Sequence, residues 1–207
     1  MSDFLELLLG GEGRARLIKF FILNPVSKAS AQELKEKLQV DKRRIKNELD
    51  LLLKAGVVKK RKAMSKNIYF LNRENLFYPE LKKIVAKCTI FPQLKALYKL
   101  NKLGHVKLIL VTGILANNLK SRADILVVGD GVNNSQLSEI IRELEAEIGR
   151  ELRFTTFTTE EYEYRLNMFD KFIREFFDGP HKILLNRIGD KGIPTLVKKQ
   201  SESIVRR

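Results

Sequence analysis

The chain has 207 residues, of which 44% are hydrophobic, and its 39 Lys and Arg outnumber 25 Asp and Glu to give a formal charge of +14. This length favours two modest domains, and the apolar fraction suffices for a packed core, which excludes disorder throughout. A single cysteine excludes a disulfide framework, and no apolar run reaches the length of about 18 residues that predicts a membrane-spanning helix.

The positive charge is concentrated in the first half of the sequence. Residues 1–90 carry 20 basic and 10 acidic side chains, whereas residues 91–207 carry 19 and 15. This asymmetry predicts a polyanionic partner, such as nucleic acid, for the first half. Cys88 lies in an apolar helical pattern and is expected to be structural, and His105 and His181 lack the spacing of metal ligands. We therefore expect no metal, no cofactor, no membrane partner and a cytoplasmic location.

The first predicted elements are three helices. The pattern predicts a short leucine-rich helix over Asp3–Leu9, stopped by two glycines, and a second over Gly13–Leu23, ended by an Asn-Pro pair. Ser30-Ala-Gln-Glu33 is a capping box, in which the Ser hydroxyl accepts the third amide proton and the Glu side chain reaches back. It opens a third helix that runs to about Leu38.

The next helix is predicted to carry a basic outer face. Asp41 suits its N-cap, and apolar residues at Ile45, Leu49 and Leu52–Leu53 recur at helical spacing, so that one side should face a core. Arg and Lys on the other side could contact guanine or phosphates in a DNA major groove, and Asn could pair with adenine. The candidate DNA-contacting residues of this helix are Lys42, Arg43, Arg44, Lys46 and Asn47.

A basic β-hairpin is predicted to follow this helix. Gly56 supplies the helix stop, and Val57-Val58 and Ile68–Leu71 are predicted to pair as strands around Lys59–Lys66. Contacts from such a hairpin to a phosphate backbone would fix register but carry little sequence information. The candidate DNA-contacting residues of the hairpin are Lys59, Lys60, Arg61, Lys62 and Lys66.

This order of helix, helix-turn-helix and basic hairpin resembles the winged-helix transcription regulators, particularly the arsenical-repressor-like group, over roughly residues 10–75. The resemblance implies a winged-helix DNA-binding domain over residues 1–76 that works as a homodimer on a two-fold site in double-stranded DNA. The N-terminal leucine-rich helix and the Tyr78–Lys87 helix are the expected dimer elements, and ordinary packing within the domain would account for them equally well.

Strands and helices alternate in the second half, which predicts a small α/β layer domain over residues 105–189. A helical linker and dimerisation region over residues 77–104 precedes it, and Pro92 should open a helix there that runs to about Leu103. The predicted strands are Val106–Thr112, Ala123–Val128, Glu151–Phe157 and Lys182–Leu185. The predicted helices are one that Ser135 caps and that runs to about Ile148, Thr159–Leu166 and Asp170–Phe177.

The run VTGILANNLKSRADILVVGD (111–130) resembles the signature of the minimal nucleotidyltransferase fold, related to polymerase β. The later runs GRELRFTTFTTEEYEYRL and FDGPHKILL are similar to the remainder of that family. Its signature is a Gly-Ser pair after one strand and two carboxylates at i and i+2 on the next, which together hold two Mg²⁺ ions.

Most of that metal signature is missing from this sequence. Gly113 remains, but Ile114 stands at the serine position, Arg122 at the first carboxylate and Asp124 alone at the second. The third strand offers Arg153, Thr155 and Thr156 where a further carboxylate would complete the site. We therefore expect a vestigial motif without catalytic residues or metal, in which Arg122 and Asp124 pair with neighbouring side chains.

Together these patterns predict an α+β protein, a winged helix-turn-helix followed by a small α/β nucleotidyltransferase-like domain. The function they favour is that of a sequence-specific DNA-binding transcriptional regulator whose second domain is catalytically inactive. Two alternatives are a divergent nucleotidyltransferase that modifies a protein or RNA, and an RNA-binding module. Residues 190–207 are expected to form a mobile basic tail, in which Lys198, Lys199, Arg206 and Arg207 add weak affinity for polyanions.

Overall fold

A computed structural model describes residues 4–63, 65–89, 99–118 and 121–189 of the chain. The described residues form a mixed α+β structure that divides into two compact units: residues 1–95 with 141–151, and residues 96–140 with 152–207. The predicted tail over 190–207, including the four cations named above, lies outside the described residues, as does most of the helix expected from Pro92.

The first unit contains five helices and three strands within its described residues up to residue 89. They are α1 (Phe4–Leu9), α2 (Glu12–Leu23), β1 (Lys28–Ser30), α3 (Ala31–Leu38), α4 (Lys42–Lys54), β2 (Val58–Ala63), β3 (Lys66–Leu71) and α5 (Tyr78–Thr89).

Local side-chain chemistry sets the ends of α3 and α4. The predicted capping box of α3 is confirmed, because Ser30 Oγ accepts the amide proton of Glu33 and the Glu33 carboxylate accepts that of Ser30. Asp41 caps α4 by accepting from the backbone N–H of Arg43 at 2.8 Å. Gly56 ends α4 with φ +68°, and the N–H of Gly56 and Val57 bond to the carbonyls of Leu53 and Leu52, which is a Schellman motif.

The three strands of this unit form an antiparallel sheet in the order β1-β3-β2. The predicted hairpin is present as β2–β3. Its strand β2 runs to Ala63 and is longer than the expected Val57-Val58 pair. Strand β1 was not predicted. It has only three residues, and its partner β3 lies far along the chain, so no local pattern indicates it.

One hydrophobic core holds these elements together. The predicted inner face of α4 is confirmed: Ile45, Leu49 and Leu52 are buried, and Leu53 packs against the same cluster while partly exposed. Cys88 is partly buried at the edge of this cluster, in keeping with a structural thiol.

Residues 141–151 belong to the first unit despite their distance in sequence. Lys19 is 4% exposed, and its ammonium donates to the carbonyl of Glu147 at 3.0 Å. The Asn24 amide donates to the carbonyl of Gly149 at 2.6 Å. Gly149 has φ +79°, and a Cβ there would stand 2.6 Å from the backbone nitrogen of Phe20. A glycine is therefore required at this close approach.

The rest of the chain supplies four strands and three α-helices among its described residues, with two short 3-10 helices, Leu100–Lys102 and Gly113–Ala116. The strands and α-helices are β4 (His105–Val111), β5 (Ile125–Asp130), α6 (Asn134–Ile148), β6 (Phe154–Phe157), α7 (Thr159–Asn167), α8 (Lys171–Phe177) and β7 (Lys182–Asn186). The sheet order is β6-β5-β4-β7, in which β4 is antiparallel to both neighbours and β5 is parallel to β6. Tyr162 and Phe176 are buried against this sheet.

Among the boundaries in this region that differ from the prediction are those of α6, β6 and β5. Asn133, not Ser135, caps α6, because its side-chain oxygen accepts the backbone N–H of Gln136 at 3.0 Å. Strand β6 begins at Phe154 instead of Glu151. Strand β5 begins at Ile125, so Arg122 and Asp124 precede the strand rather than lying on it. Of the helices in the described residues, none combines the length and the apolar composition needed to span a membrane.

Candidate nucleic-acid interface

The side chains of α4 outside the core fall on two flanks, because successive residues turn by about 100° around a helix. Lys42, Lys46 and Asp50 follow one another at i, i+4 and i+8 along one flank. Arg44 and Glu48 follow the opposite flank in the same way. Arg43 and Asn47 lie between the two flanks, on the side away from the buried stripe.

The flank with Arg44 is occupied by contacts within the first unit. The Glu48 carboxylate accepts from Arg14 Nε at 2.7 Å. The Arg44 guanidinium lies over Gly11 and Gly13, where added Cβ atoms would stand 3.0 and 3.3 Å from its nitrogens. The structure thus separates Arg44 from the other predicted helix cations.

Like Arg44, the other predicted residues of α4 are open to solvent. The side chains of Lys42, Arg43, Lys46 and Asn47 are exposed, and within the described part of the chain they take part in no ion pair or side-chain hydrogen bond. The backbone N–H groups of Arg43 and, more weakly, Arg44 lower the pKa of Asp41 by bonding to its carboxylate. Asp41 occupies the backbone N–H groups at the N-terminus of α4. The outward cations of α4 are therefore the groups available to an anionic ligand.

The hairpin distributes its cations over two faces, since residues alternate along a strand and antiparallel partners share a face. One face carries Val58, Lys60 and Lys62 on β2, paired with Leu71, Tyr69 and Asn67 on β3. Val58, Tyr69 and Leu71 are buried, so this face continues outward from the core to the exposed Lys60 and Lys62. We call it the core-side face.

The opposite hairpin face carries Lys59, Arg61 and Lys66. Lys59 forms an ion pair with Glu74, and this contact lowers the pKa of the Glu74 carboxyl. The charge of Lys66 makes a minor contribution to lowering the pKa of Glu33, behind the hydrogen bonds from Ser30. Part of this positive charge therefore acts on acidic groups of the same unit.

Asp50 and Tyr69 connect the helix to the core-side face. Burial raises the pKa of Tyr69, and the nearby negative charge of Asp50 raises it further. Asp50 shares its flank of α4 with Lys42 and Lys46, whereas Tyr69 lies directly across from Lys60 in the hairpin. The exposed cations of the helix flank and of the core-side face therefore lie on adjoining surfaces.

The structure brings six of the predicted residues to this combined surface: Lys42, Arg43, Lys46, Asn47, Lys60 and Lys62. It places Arg44 on the opposite flank of α4, and Lys59, Arg61 and Lys66 on the opposite hairpin face. The sequence analysis did not single out Asp50 or Tyr69. Helical spacing from Lys46 could have indicated Asp50, whereas the position of Tyr69 depends on the strand register.

In the second unit, Asp124 is enclosed by hydrogen-bond donors of its own chain. Its side chain accepts the backbone N–H groups of Ile114 and Arg153, each at 2.8 Å, and Arg153 Nε lies 3.3 Å away. Gly113 has φ +59°, and a Cβ there would overlap the Asp124 carboxylate. Arg122 forms an ion pair with Glu175 at 2.9 Å.

These residues do not fit a pair of Mg²⁺ ions. Magnesium requires hard anionic oxygens, but the Asp124 carboxylate faces N–H groups and the Arg153 guanidinium. Thr155 and Thr156 add no charge on β6. No group of three His, Cys, Asp or Glu within the described ranges could hold a metal ion.

Comparisons with protein-family models, with curated proteins and with solved structures found no match to this chain.

Proposed function

We propose that this protein is a sequence-specific transcriptional regulator that binds double-stranded DNA. Residues 1–76 form a winged-helix domain, and residues 105–189 a nucleotidyltransferase-like domain that has lost catalysis. The observation that supports DNA binding most strongly is the combined surface of α4 and the core-side hairpin face. Two elements offer exposed cations there, and no acidic side chain within the described residues neutralises them by an ion pair.

The helix supplies the chemistry that distinguishes bases. Arg43 and Asn47 project from α4 away from its buried stripe, the direction from which a helix enters a major groove. Arg can bond to the acceptors of guanine, and Asn to adenine. Sequence preference is therefore assigned to α4, and phosphate contacts to Lys60 and Lys62 of the hairpin.

Duplex DNA suits this surface better than a single strand does. Proteins that bind single-stranded DNA or RNA commonly stack bases on exposed aromatic rings. Tyr69, the aromatic residue on the core-side face, is only 6% exposed. Cations without an exposed ring favour a partner whose bases are already stacked.

The enclosed Asp124 supports the loss of catalysis. Its carboxylate stabilises the loop after β4 by accepting the Ile114 N–H and contacts Arg153, which is a structural role. Incubation with labelled nucleoside triphosphates and Mg²⁺ or Mn²⁺ should give no transfer. Nucleotide transfer that Asp124→Asn abolishes would instead support the enzyme alternative.

Titration of labelled duplex by fluorescence anisotropy at several salt concentrations tests DNA binding. If four to six phosphates are neutralised, log K should fall against log[salt] with a slope of roughly −4 to −5. The triple variant Lys42→Ala, Arg43→Ala, Lys46→Ala should lose sequence preference and give a shallower slope, because up to three contacts are removed.

A matched control comes from the second unit. Lys171, Arg174 and Lys182 are exposed there and repeat the composition of the tested triple, two lysines and one arginine. Their replacement by Ala should leave the slope unchanged. Binding that does not depend on salt, or equal loss in both triple variants, would contradict the proposed interface.

A further inference from the structure

Asp50 differs from the other acidic side chains around it. Between residues 28 and 75, apart from residue 64, each of the other carboxylates has a hydrogen-bond or ion-pair partner. These are Glu33 with Ser30, Glu36 with Gln32, Asp41 with the backbone of Arg43, Glu48 with Arg14 and Glu74 with Lys59. Asp50 is exposed and has no such partner among the described residues.

The position of Asp50 makes this lack of a partner informative. Lys46 and Lys54 stand four residues before and after it, which is the spacing of stabilising ion pairs on a helix. Neither lysine forms an ion pair with it in the described structure. Its charge instead lies near Tyr69, across from Lys60, so an uncompensated anion stands at the junction of α4 and the core-side face.

An anion at this place works against general affinity for DNA. A carboxylate only accepts hydrogen bonds, so it is repelled by phosphates and by the acceptor atoms of guanine and thymine in the major groove. It is compatible with the amino group of cytosine, and to a lesser degree with that of adenine, because these bases present donors there.

We propose that Asp50 is a specificity-determining residue of the DNA interface. It accepts a hydrogen bond from the amino group of a cytosine in the major groove, and it disfavours registers that bring a phosphate or another base opposite it. This inference rests on the proposed function of α4 as the helix that contacts bases. Like-charge repulsion of wrong partners is a common source of specificity.

Selection from a random duplex library tests the role of Asp50. Four proteins are carried through it at the same salt concentration: the unmodified chain, Asp50→Asn, Asp50→Ala and a control. Asp178→Asn is the control, since Asp178 is an exposed aspartate of the second unit and the charge change is the same. The unmodified chain and Asp178→Asn should enrich a site with cytosine at one fixed position.

In both Asp50 variants, the enrichment of cytosine at that position should fall by about 5-fold or more, which is the usual discrimination at one base pair. Both should also bind an arbitrary duplex more tightly than the unmodified chain, because the repulsion is removed. Thermal unfolding of each variant confirms that the fold is retained.

The two ways of failing are distinct. If all chains enrich the same site and bind an arbitrary duplex equally, the role of Asp50 is wrong, while the DNA-binding function stands. If no chain enriches or binds a duplex, the proposed function is wrong, and the role of Asp50 is lost with it.

Discussion

Phe169 occupies a backbone conformation that usually belongs to glycine. It follows α7 with φ +53°, and its N–H bonds to the carbonyl of Leu166 while the N–H of Asp170 bonds to that of Arg165. This is the same Schellman geometry that Gly56 gives to the end of α4. The Phe169 side chain is 79% exposed, so burial offsets little of the strain.

Replacing Phe169 by Gly should stabilise the protein by about 1 kcal/mol, since a left-handed conformation costs a residue with a Cβ roughly that much. Chemical denaturation measures the change in the free energy of unfolding. Gly56→Ala is the reciprocal variant and should destabilise by a similar amount, because Gly56 has φ +68°. A loss of stability in Phe169→Gly would show that the ring makes contacts worth more than the strain.

Asp130 makes stability depend on pH. The backbone N–H of Thr159 contributes most, with the Thr159 hydroxyl and Lys107, to lowering the pKa of Asp130 to about 2 from its ordinary value of 3.8. A lowered pKa in the folded state gives stability that is present above the unfolded value and is lost as the pH falls through the folded value.

Asp130→Asn should therefore lower the melting temperature at neutral pH and have progressively less effect between about pH 4 and pH 2. Asn keeps an acceptor for the Thr159 N–H but loses the negative charge beside Lys107. Thermal unfolding over that pH range measures the difference. Asp178→Asn, a change of the same charge at an exposed position, is the control and should show no such trend. A constant difference across the range would contradict the role of the Asp130 charge.

At the level of elements, the hairpin provides a direct test of its two faces. Lys60 and Lys62 alternate with Lys59 and Arg61 along β2, so two double substitutions to Ala remove equal charge from one strand. Loss of Lys60 and Lys62 should weaken binding to every duplex alike and reduce the salt slope by about 1.8, as expected for two phosphate contacts.

The double variant of Lys59 and Arg61 should change the slope by clearly less. These side chains lie on the opposite face, and Lys59 is paired with Glu74. Equal changes in both variants would mean that overall charge, and not the face of the hairpin, determines affinity.

The helices were predictable where their signals are local. Ser30 with Glu33, Asp41 and Gly56 mark ends of α3 and α4 through bonds that span at most five residues. Elements that depend on distant partners were not predictable. Strand β1 is too short to show alternation, and the flank of α4 that holds Arg44 is defined by Gly11 and Gly13, about thirty residues earlier.

The candidate site was predictable in kind but not in its arrangement. Composition and spacing indicated the cations, because charge concentrates in one helix and one hairpin. Which cations share a surface follows from the strand register and from the position of Tyr69 beside Asp50. The same holds for Asp124, whose enclosure by Ile114 and Arg153 depends on contacts between separate segments.

At the scale of the whole molecule, assembly into a homodimer remains a prediction. Helices α1 and α5 each bury side chains, such as Leu5 and Val85, in the core of the first unit. They also present apolar side chains to solvent. These are Phe4 at 61% exposure, Leu7 at 72%, Leu8 at 58% and Ile84 at 37%.

Leu7→Lys combined with Leu8→Lys should convert a dimer to a monomer, because charges would replace apolar contacts between copies. Sedimentation equilibrium measures the mass. Leu76→Lys, at a site that is 82% exposed outside both helices, is the control and should leave the mass unchanged. A monomer in every variant, including the unmodified chain, would contradict the dimer.

The contribution of residues 141–151 to the first unit has a consequence for biosynthesis. On the ribosome, residues 1–95 emerge well before residues 141–151, which complete the first unit. The backbone of Phe20 therefore cannot pack against Gly149 until the intervening chain has been translated. A fragment that stops at residue 95 would lack these contacts for good. Nascent chains arrested after residue 151 has left the exit tunnel should thus resist protease better over their first 95 residues than chains arrested earlier.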